Sequence, residues 1–210
     1  MKAYISKNAT EQLLKYLKSN DCEIVFTHCD RVHDAIKDHP DIQLCRLKNE
    51  IYQGDTDKLS EVYPSDIRYN AACTGKYFIH NLKYTDSDLL KKAENEGLIL
   101  INVKQGYSKC NIVTVDENSI ITSDKGIASS CDGIMDVLLI SEGNIILPSF
   151  NTGFIGGCSG KLNDTVFFNG DLSKHPDFIK IKDYIENRGL KCLWFEETPL
   201  TDIGSVIIGD

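Results

Sequence analysis

The residues of this sequence that are the best candidates for nucleophilic or acid–base chemistry are Cys158, Cys110 and His175. Cys158 lies in GGCSG, where the flanking glycines would let a thiol stand exposed on a tight turn. The same segment is typical of a strand start at which only small, buried residues fit. Cys110 follows Lys109, and a neighbouring ammonium group lowers a thiol pKa where the two side chains meet.

Histidines offer two further kinds of chemistry. His175, in SKHPDF, would act as a general base if it faced a site, although HPD is also a common turn and capping arrangement at a helix start. The densest group of metal-ligand types comprises His28, Cys29, Asp30, His33 and His39. That segment is also typical of a polar helix leading to a turn, which is the interpretation we favour. No metal and no cofactor are therefore predicted.

The elements that must position these side chains follow a repeated pattern. Short β-rich runs end on Asp or Asn at KAYISKN (2–8), NEIYQGD (49–55), GKYFIHN (75–81), NSIITSD (118–124) and DTVFFNGD (164–171). Their last residues are suited to cap a helix or to form a turn. Amphipathic helical patterns follow three of these runs, and apolar runs of strand length follow those helices. A more polar run precedes each β-rich run, at 41–47, 67–75, 108–115, 156–162 and 202–210.

The repeated unit is therefore strand, strand, helix, strand, and its spacing of roughly 40 residues favours radial closure over an open sheet. The first run has no partner before it and the last run, 202–210, has none after it. Pairing these two ends would complete a further unit and remove an exposed edge. The unit that follows Asp55 is expected to be trimmed, because 56–66 is too short for a full helix and a third strand.

In such a ring the first residues of the polar leading strands meet at a central channel. The predicted ligand-binding residues are consequently Asp41, Asn70, Lys109, Asn111, Ser159, Asp202 and Ser205. A carboxylate such as Asp202, beside a glycine that permits close approach, would suit a cationic ligand.

The length, charge and amino-acid composition of the chain limit the classes of partner and the cellular settings that we expect for it. The chain has 210 residues and a formal net charge of −8, which repels phosphate backbones and argues against a nucleic-acid partner. Its length and 41% hydrophobic content predict a single α/β domain over 1–210. The sequence contains neither an apolar stretch of membrane-spanning length nor a signal-peptide pattern, so a cytoplasmic protein without membrane contact is expected. The eight cysteines lack paired metal-site spacing and suit a reducing compartment.

Several motifs resemble a known family. The segments FIGGCSG, NGDLSKHPDF and PLTDIGSVIIGD look like those of an uncharacterised bacterial domain family with a guanidino-modifying-enzyme-like fold, the pentein or α/β-propeller. The resemblance covers nearly the whole chain and implies five units around a pseudo-fivefold axis. In the enzymes of this fold, a cysteine of the last unit attacks a guanidinium carbon, with a histidine as acid and base. Here the last unit reads Thr201-Asp202-Ile203-Gly204-Ser205 and has no cysteine.

Two functions are carried forward from the sequence. The first is a binding protein that holds a small molecule, cationic or guanidino in character, in a polar channel without the usual catalytic cysteine. The alternative is a cysteine-dependent hydrolase or transferase acting on a guanidino compound, with Cys158 or Cys110 as nucleophile. A protein partner is left open.

Overall fold

The computed structural model describes residues 1–48 and 50–209. Its strands are β1 (Lys2–Ile5), β2 (Glu23–Phe26), β3 (Leu44–Leu47), β4 (Glu50–Gln53), β5 (Ala72–Cys73), β6 (Tyr77–His80), β7 (Ile99–Asn102), β8 (Ile112–Asp116), β9 (Ser119–Thr122), β10 (Asp136–Leu139), β11 (Ser159–Leu162), β12 (Thr165–Phe168), β13 (Lys191–Leu193) and β14 (Ile207–Gly209). Its α-helices are α1 (Glu11–Ser19), α2 (Pro40–Gln43), α3 (Ser87–Asn95), α4 (Ser108–Asn111), α5 (Lys125–Cys131) and α6 (Phe178–Glu186). Short 3-10 turns cover Thr56–Lys58, Ser65–Ile67, Gly156–Cys158 and Leu172–Lys174.

The strands form small mixed sheets of one repeated design. Within 1–48 and 50–209 the strand orders are β14-β1-β2 (unit A), β3-β4 (unit B), β5-β6-β7 (unit C), β10-β9-β8 (unit D) and β11-β12-β13 (unit E). In every unit the leading strand pairs antiparallel with the middle strand, and each third strand pairs parallel with the middle one. The repeated strand pattern predicted from the sequence is confirmed, and among residues 1–48 and 50–209 unit B has two strands and no third one, as expected.

The two ends of the chain belong to one sheet. Strand β1 pairs antiparallel with β14, with Ala3 opposite Ile208, and parallel with β2. Both Ala3 and Ile208 are buried. The predicted pairing of the terminal strands is therefore confirmed, and it covers an edge that each strand would otherwise expose.

Helix starts follow the expected chemistry with two differences. The side chains of Asp55, Asp124 and Asp171 accept hydrogen bonds from the first backbone N–H groups of the turns or helices that follow them. Helix α1 is capped instead by Thr10, two residues after Asn8, which ends the first β-rich run. Helix α3 is capped by Asp86, five residues after Asn81, which ends the third run. The predicted polar helix at 29–39 is absent from the described chain, where turns occupy these positions up to α2.

Hydrophobic side chains fill the spaces between neighbouring units. In the described chain, buried clusters join B to C, C to D, D to E, and E to A. Their largest members are aromatic, with Tyr69 and Phe78 between B and C, Phe168 between D and E, and Phe167 between E and A. Because each cluster draws on two units, burial of these side chains holds the units together in chain order.

The leading strands also contact one another in order. β14 lies against β3, β3 against β5, β5 against β8, β8 against β11, and β11 against β14. The hydrogen-bonded ladders of the described residues stay within separate sheets and do not merge into one closed barrel. The architecture is thus mixed α/β, with small sheets whose leading strands face each other. Among the described helices, none combines the length and apolar character needed to cross a membrane.

Asp86 illustrates how polar contacts secure the trimmed unit B. One oxygen of its carboxylate accepts hydrogen bonds from the N–H groups of Asp88 and Leu89, and the other lies 2.9 Å from Lys58 Nζ, which belongs to unit B. Burial alone would raise the pKa of Asp86, but the Lys58 ammonium and the backbone amides outweigh it and hold the pKa below its usual value.

We predict that Asp86→Asn lowers the free energy of unfolding by about 1–2 kcal/mol at pH 7, because the charged cap and its ion pair are lost. Since the folded pKa is depressed, this stabilisation is present above the unfolded pKa of about 4 and disappears as pH falls through the folded value. Urea unfolding from pH 7 to pH 3 measures both effects. The control Asp88→Asn, at an exposed partner of Lys58, should change stability little. A difference from wild type that does not shrink as the pH falls from 7 to 3 would contradict this account.

Candidate functional site

Several of the polar residues predicted to begin the leading strands lie instead on short helical turns just before those strands. Asp41 lies in α2, and Lys109 and Cys110 lie in α4. In a strand, adjacent side chains point to opposite faces, whereas a helical turn rotates them by about 100°. Because they lie on a helical turn and not in a strand, the side chains of Lys109 and Cys110 both reach the same buried centre.

Asp41 lies at the middle of this centre. Its carboxylate is fully buried, and its Oδ2 accepts hydrogen bonds from Ser205 Oγ at 2.8 Å and from Cys110 Sγ at 3.1 Å. Burial raises the pKa of Asp41 to about 6, against the lowering effects of His39 and Lys109. The other oxygen, Oδ1, has no hydrogen-bond partner among the described residues.

Asn70 joins three units through one amide. Its Oδ1 accepts from the backbone N–H groups of Lys109 at 2.9 Å and Cys110 at 3.3 Å. Its Nδ2 donates to the backbone carbonyl of Asp41 at 3.1 Å and lies 3.2 Å from Cys110 Sγ. Every polar atom of this buried amide is used, so Asn70 fixes α2 and α4 relative to each other.

Lys109 and Ser205 continue the network. Lys109 Nζ donates to Ser205 Oγ at 3.0 Å, and that hydroxyl in turn donates to Asp41. Burial lowers the pKa of Lys109, while the charge of Asp41 partly opposes the change. Lys109 also forms part of a cavity wall, so its side chain lies between the buried centre and that cavity.

Asp202 has a structural role at this centre. Its Oδ2 accepts from the N–H of Phe154 at 2.8 Å and its Oδ1 from the N–H of Gly204 at 3.0 Å. Because these backbone amides use both oxygens and the residue is buried, Asp202 does not offer the exposed carboxylate that a cationic ligand needs.

His39 is the member of the centre that sequence reasoning missed, since the pattern grouped it with His28. It is buried, and its Nδ1 lies 4.0 Å from Asp202 Oδ1 without a hydrogen-bond partner in the described chain. His28, by contrast, bonds to Asp30 and Asp38. The sequence did contain a signal that could have identified His39, namely its position two residues before Asp41 at the start of a leading segment.

The remaining predicted residues lie outside the network around Asp41. Cys158 is fully buried in the cluster between units D and E, where its Sγ donates to the carbonyl of Phe154 at 3.3 Å. Asn111 donates to the carbonyl of Tyr107. His175 accepts from the N–H of Asp177 through Nδ1, within its own turn. Ser159 Oγ donates to the carbonyl of Gly156, and Ser159 lines the cavity.

The comparison with known families supplies one match. Residues 50–207 match the model described as a family of unknown function, DUF6873. The chain belongs to the DUF6873 family. No protein with a curated description matches it. The expected membership of an uncharacterised family is confirmed at this level, and the relationship to penteins stays a prediction.

The glycines around Cys158 in this DUF6873 chain are required by close packing. A Cβ atom on Gly156 would lie 2.5 Å from the carbonyl oxygens of both Lys109 and Ile112, and one on Gly157 would lie 1.9 Å from Asp202 Oδ1. Both glycines therefore let unit E approach the buried centre. This explains GGCSG by contact and leaves Cys158 buried behind the turn.

We predict that Gly157→Ala lowers the free energy of unfolding by about 2–3 kcal/mol, because the new methyl group overlaps the Asp202 carboxylate. Urea unfolding followed by circular dichroism measures the loss. Gly97→Ala is the matched control, since it has a positive φ of 71° but open space around its Cβ, and should cost about 1 kcal/mol. Equal losses in the two variants would show that contact with Asp202 is unimportant.

Proposed function

We propose that this chain forms a pentein-type ring and binds a small anionic molecule in its central channel. The order of contacts among the leading strands, which returns from β11 to β14, supports the ring. The pairing of β1 with β14 supports its closure by the two ends of the chain. On this model, 1–210 is a single domain.

A cavity between the leading strands carries the proposal. Its volume is about 110 Å³, and every unit contributes to its wall. The contributions include Cys45 and Arg46 from unit B, Cys73 from unit C, Thr114 from unit D, Ser159, Gly160 and Lys161 from unit E, and Ile207 and Ile208 from unit A. A small molecule held there would contact all units at once, as a channel ligand should.

The charge of the cavity wall favours an anion. Four cationic side chains line it, namely Arg46, Lys48, Lys109 and Lys161, and its described lining residues include no Asp or Glu. Burial lowers the pKa of Lys161, the carboxylate of Asp116 partly opposes this change, and the charge of Arg46 adds to the lowering. A bound anion would offset the free-energy cost of placing these positive charges close together, whereas the guanidinium ligand implied by the family likeness would add another positive charge.

A lining hydroxyl supplies a further donor for such a ligand. Thr114 Oγ1 is buried at the wall and has no hydrogen-bond partner in the described chain. Buried polar atoms are nearly always paired, so an unpartnered hydroxyl beside several cations suits a bound oxyanion. Carboxylates and phosphates share this acceptor chemistry.

Calorimetric titration with inorganic phosphate and with malonate tests the proposal. We expect one site per chain for at least one of these anions, no binding of methylguanidine, and about tenfold weaker anion affinity in Lys161→Met, because one charged contact is lost. Lys91→Met, on the exposed face of α3, is the matched control and should bind as wild type does.

Three outcomes would refute anion binding in this cavity. They are no heat with either anion, equal affinity in Lys161→Met and wild type, or binding of methylguanidine that strengthens when Lys161 is removed. Circular dichroism of both variants separates a lost site from a lost fold.

We further propose a cytoplasmic setting. All eight cysteines are described and are free thiols, as a reducing compartment maintains them. The net charge of −8 supports the expectation that nucleic acid is not a partner.

A thiol-dependent hydrolase or transferase is the second candidate, and one observation favours it. Cys110 Sγ lies within hydrogen-bonding reach of a carboxylate, Asp41, and of the Asn70 amide. However, burial raises the pKa of the Cys110 thiol, and the charge of Asp41 raises it further. Burial likewise raises the pKa of Cys158. A reactive thiolate needs the opposite shift.

We therefore predict that Cys110 and Cys158 react with iodoacetamide at pH 7 at least 100-fold more slowly than free cysteine, because burial both shields the thiols and disfavours their ionisation. Peptide mass spectrometry after brief exposure measures each site, and the urea-unfolded chain provides the reference in which all sites react. Rapid modification of Cys110 in the folded protein would contradict this prediction and support the thiol-dependent hydrolase or transferase.

A further inference from the structure

One cluster of metal-ligand side chains is present among the described residues, and it lies in the buried centre. His39, Asp41 and Cys110 each offer one ligand atom, and these three atoms lie within 4.8 Å of one another. His39 precedes α2, Asp41 lies within it, and Cys110 lies in α4, so two units bring the set together. All three side chains are more than nine-tenths buried.

Two atoms of this cluster lack partners. His39 Nδ1 and Asp41 Oδ1 are buried without a hydrogen bond in the described chain. Leaving such groups unsatisfied costs about 1–3 kcal/mol each, and more for a charged group. The surrounding network satisfies Asn70 and Ser205 fully, so the two unpartnered atoms are a local feature of the His39–Asp41 pair.

We propose that His39, Asp41 and Cys110 bind a single zinc ion. Imidazole nitrogen, carboxylate oxygen and thiolate sulfur are the three ligand types that zinc takes in proteins, usually in tetrahedral geometry. Ligand atoms around tetrahedral zinc lie roughly 3.5 Å apart, and one potential ligand atom from each of the three residues lies within 4.8 Å of the other two. The fourth position would hold water or another small ligand.

The residues around the cluster are arranged to orient these ligands. Ser205 holds Asp41 through Oδ2, which leaves Oδ1 for the metal. Asn70 Nδ2 lies 3.2 Å from Cys110 Sγ and would donate to the thiolate. Outer hydrogen bonds of this kind fix the direction of metal ligands and tune their basicity.

Charge balance is consistent with a divalent cation. On binding, the Cys110 S–H bond breaks, its proton leaves to solvent, and the sulfur lone pair forms the bond to zinc. The thiolate and the Asp41 carboxylate then neutralise the two positive charges of the ion. The ammonium group of Lys109 does not contact the Asp41 carboxylate directly in these hydrogen bonds, because its Nζ donates to Ser205 Oγ, which in turn donates to Asp41.

Cobalt(II) is the probe that tests the site, because a tetrahedral cobalt–thiolate complex has a near-ultraviolet charge-transfer band and intense visible bands. Full-length protein, freed of metal by a chelator and kept reduced, is titrated with cobalt(II) and then with zinc(II). We expect one cobalt per chain, displacement by zinc, and release of about one proton per metal in buffer-dependent calorimetry.

Variants locate the ligands. Cys110→Ser should abolish the charge-transfer band, and His39→Gln and Asp41→Asn should weaken cobalt affinity at least 100-fold, each through loss of one ligand. Cys158→Ser is the matched control, because Cys158 is equally buried but outside the cluster, and it should keep the band. Circular dichroism checks that each variant folds, and the near-isosteric Asp41→Asn serves if the others do not.

The proposal is overturned if cobalt gives no thiolate band, if binding survives in all three cluster variants, or if Cys158→Ser removes the band. The test is separate from that of anion binding in the cavity. Lys161→Met alters the cavity wall and should leave cobalt binding unchanged, so either proposal can fail while the other stands.

Discussion

The buried carboxylate of Asp41 is the constraint around which the centre of this protein is arranged. A carboxylate without water must be supplied with hydrogen bonds or lose its charge. Here the donors come from distant segments, Ser205 near the end of the chain and Cys110 in the middle of it. The requirement to satisfy one acidic group therefore ties the leading segments of units A, B and D into a single polar core.

Both the hydrophobic clusters and this polar centre hold the units together, at different places. Apolar clusters lie between B and C, C and D, D and E, and E and A. Unit A meets unit B through strand contacts between β14 and β3 and through polar contacts, including the N–H of Asp41 donating to the carbonyl of Gly204 at 3.3 Å. Gly204 has a φ of 77° and packs so closely on His39 that a Cβ would lie 2.1 Å from that of His39. The leading segments of units A and B thus approach so closely at Gly204 and His39 that only glycine fits at position 204.

Lys109 separates two regions of opposite character. On one side lie the carboxylates of Asp41 and Asp202 with His39 and Cys110, and on the other lies the cavity with Arg46, Lys48 and Lys161 in its wall. A lysine in this position experiences attraction from the acidic group and repulsion from the other cations, in a medium that favours its neutral form. The anion binding proposed for the cavity and the zinc binding proposed for the centre therefore depend on opposite charges of the lining side chains.

The sequence alone determined the repeated strand pattern, the trimmed second unit and the pairing of the chain ends, because these depend on local β propensity, apolar spacing and segment length. It also indicated Asp41, Asn70, Lys109, Cys110 and Ser205 as residues that meet. Tertiary structure decided what those residues do. Cys158 and His175 form hydrogen bonds within their own turns, Asp202 accepts hydrogen bonds from backbone amides, and His39 joins the centre. Burial, ligand spacing and charge depend on which segments pack together, and a linear pattern does not encode those distances.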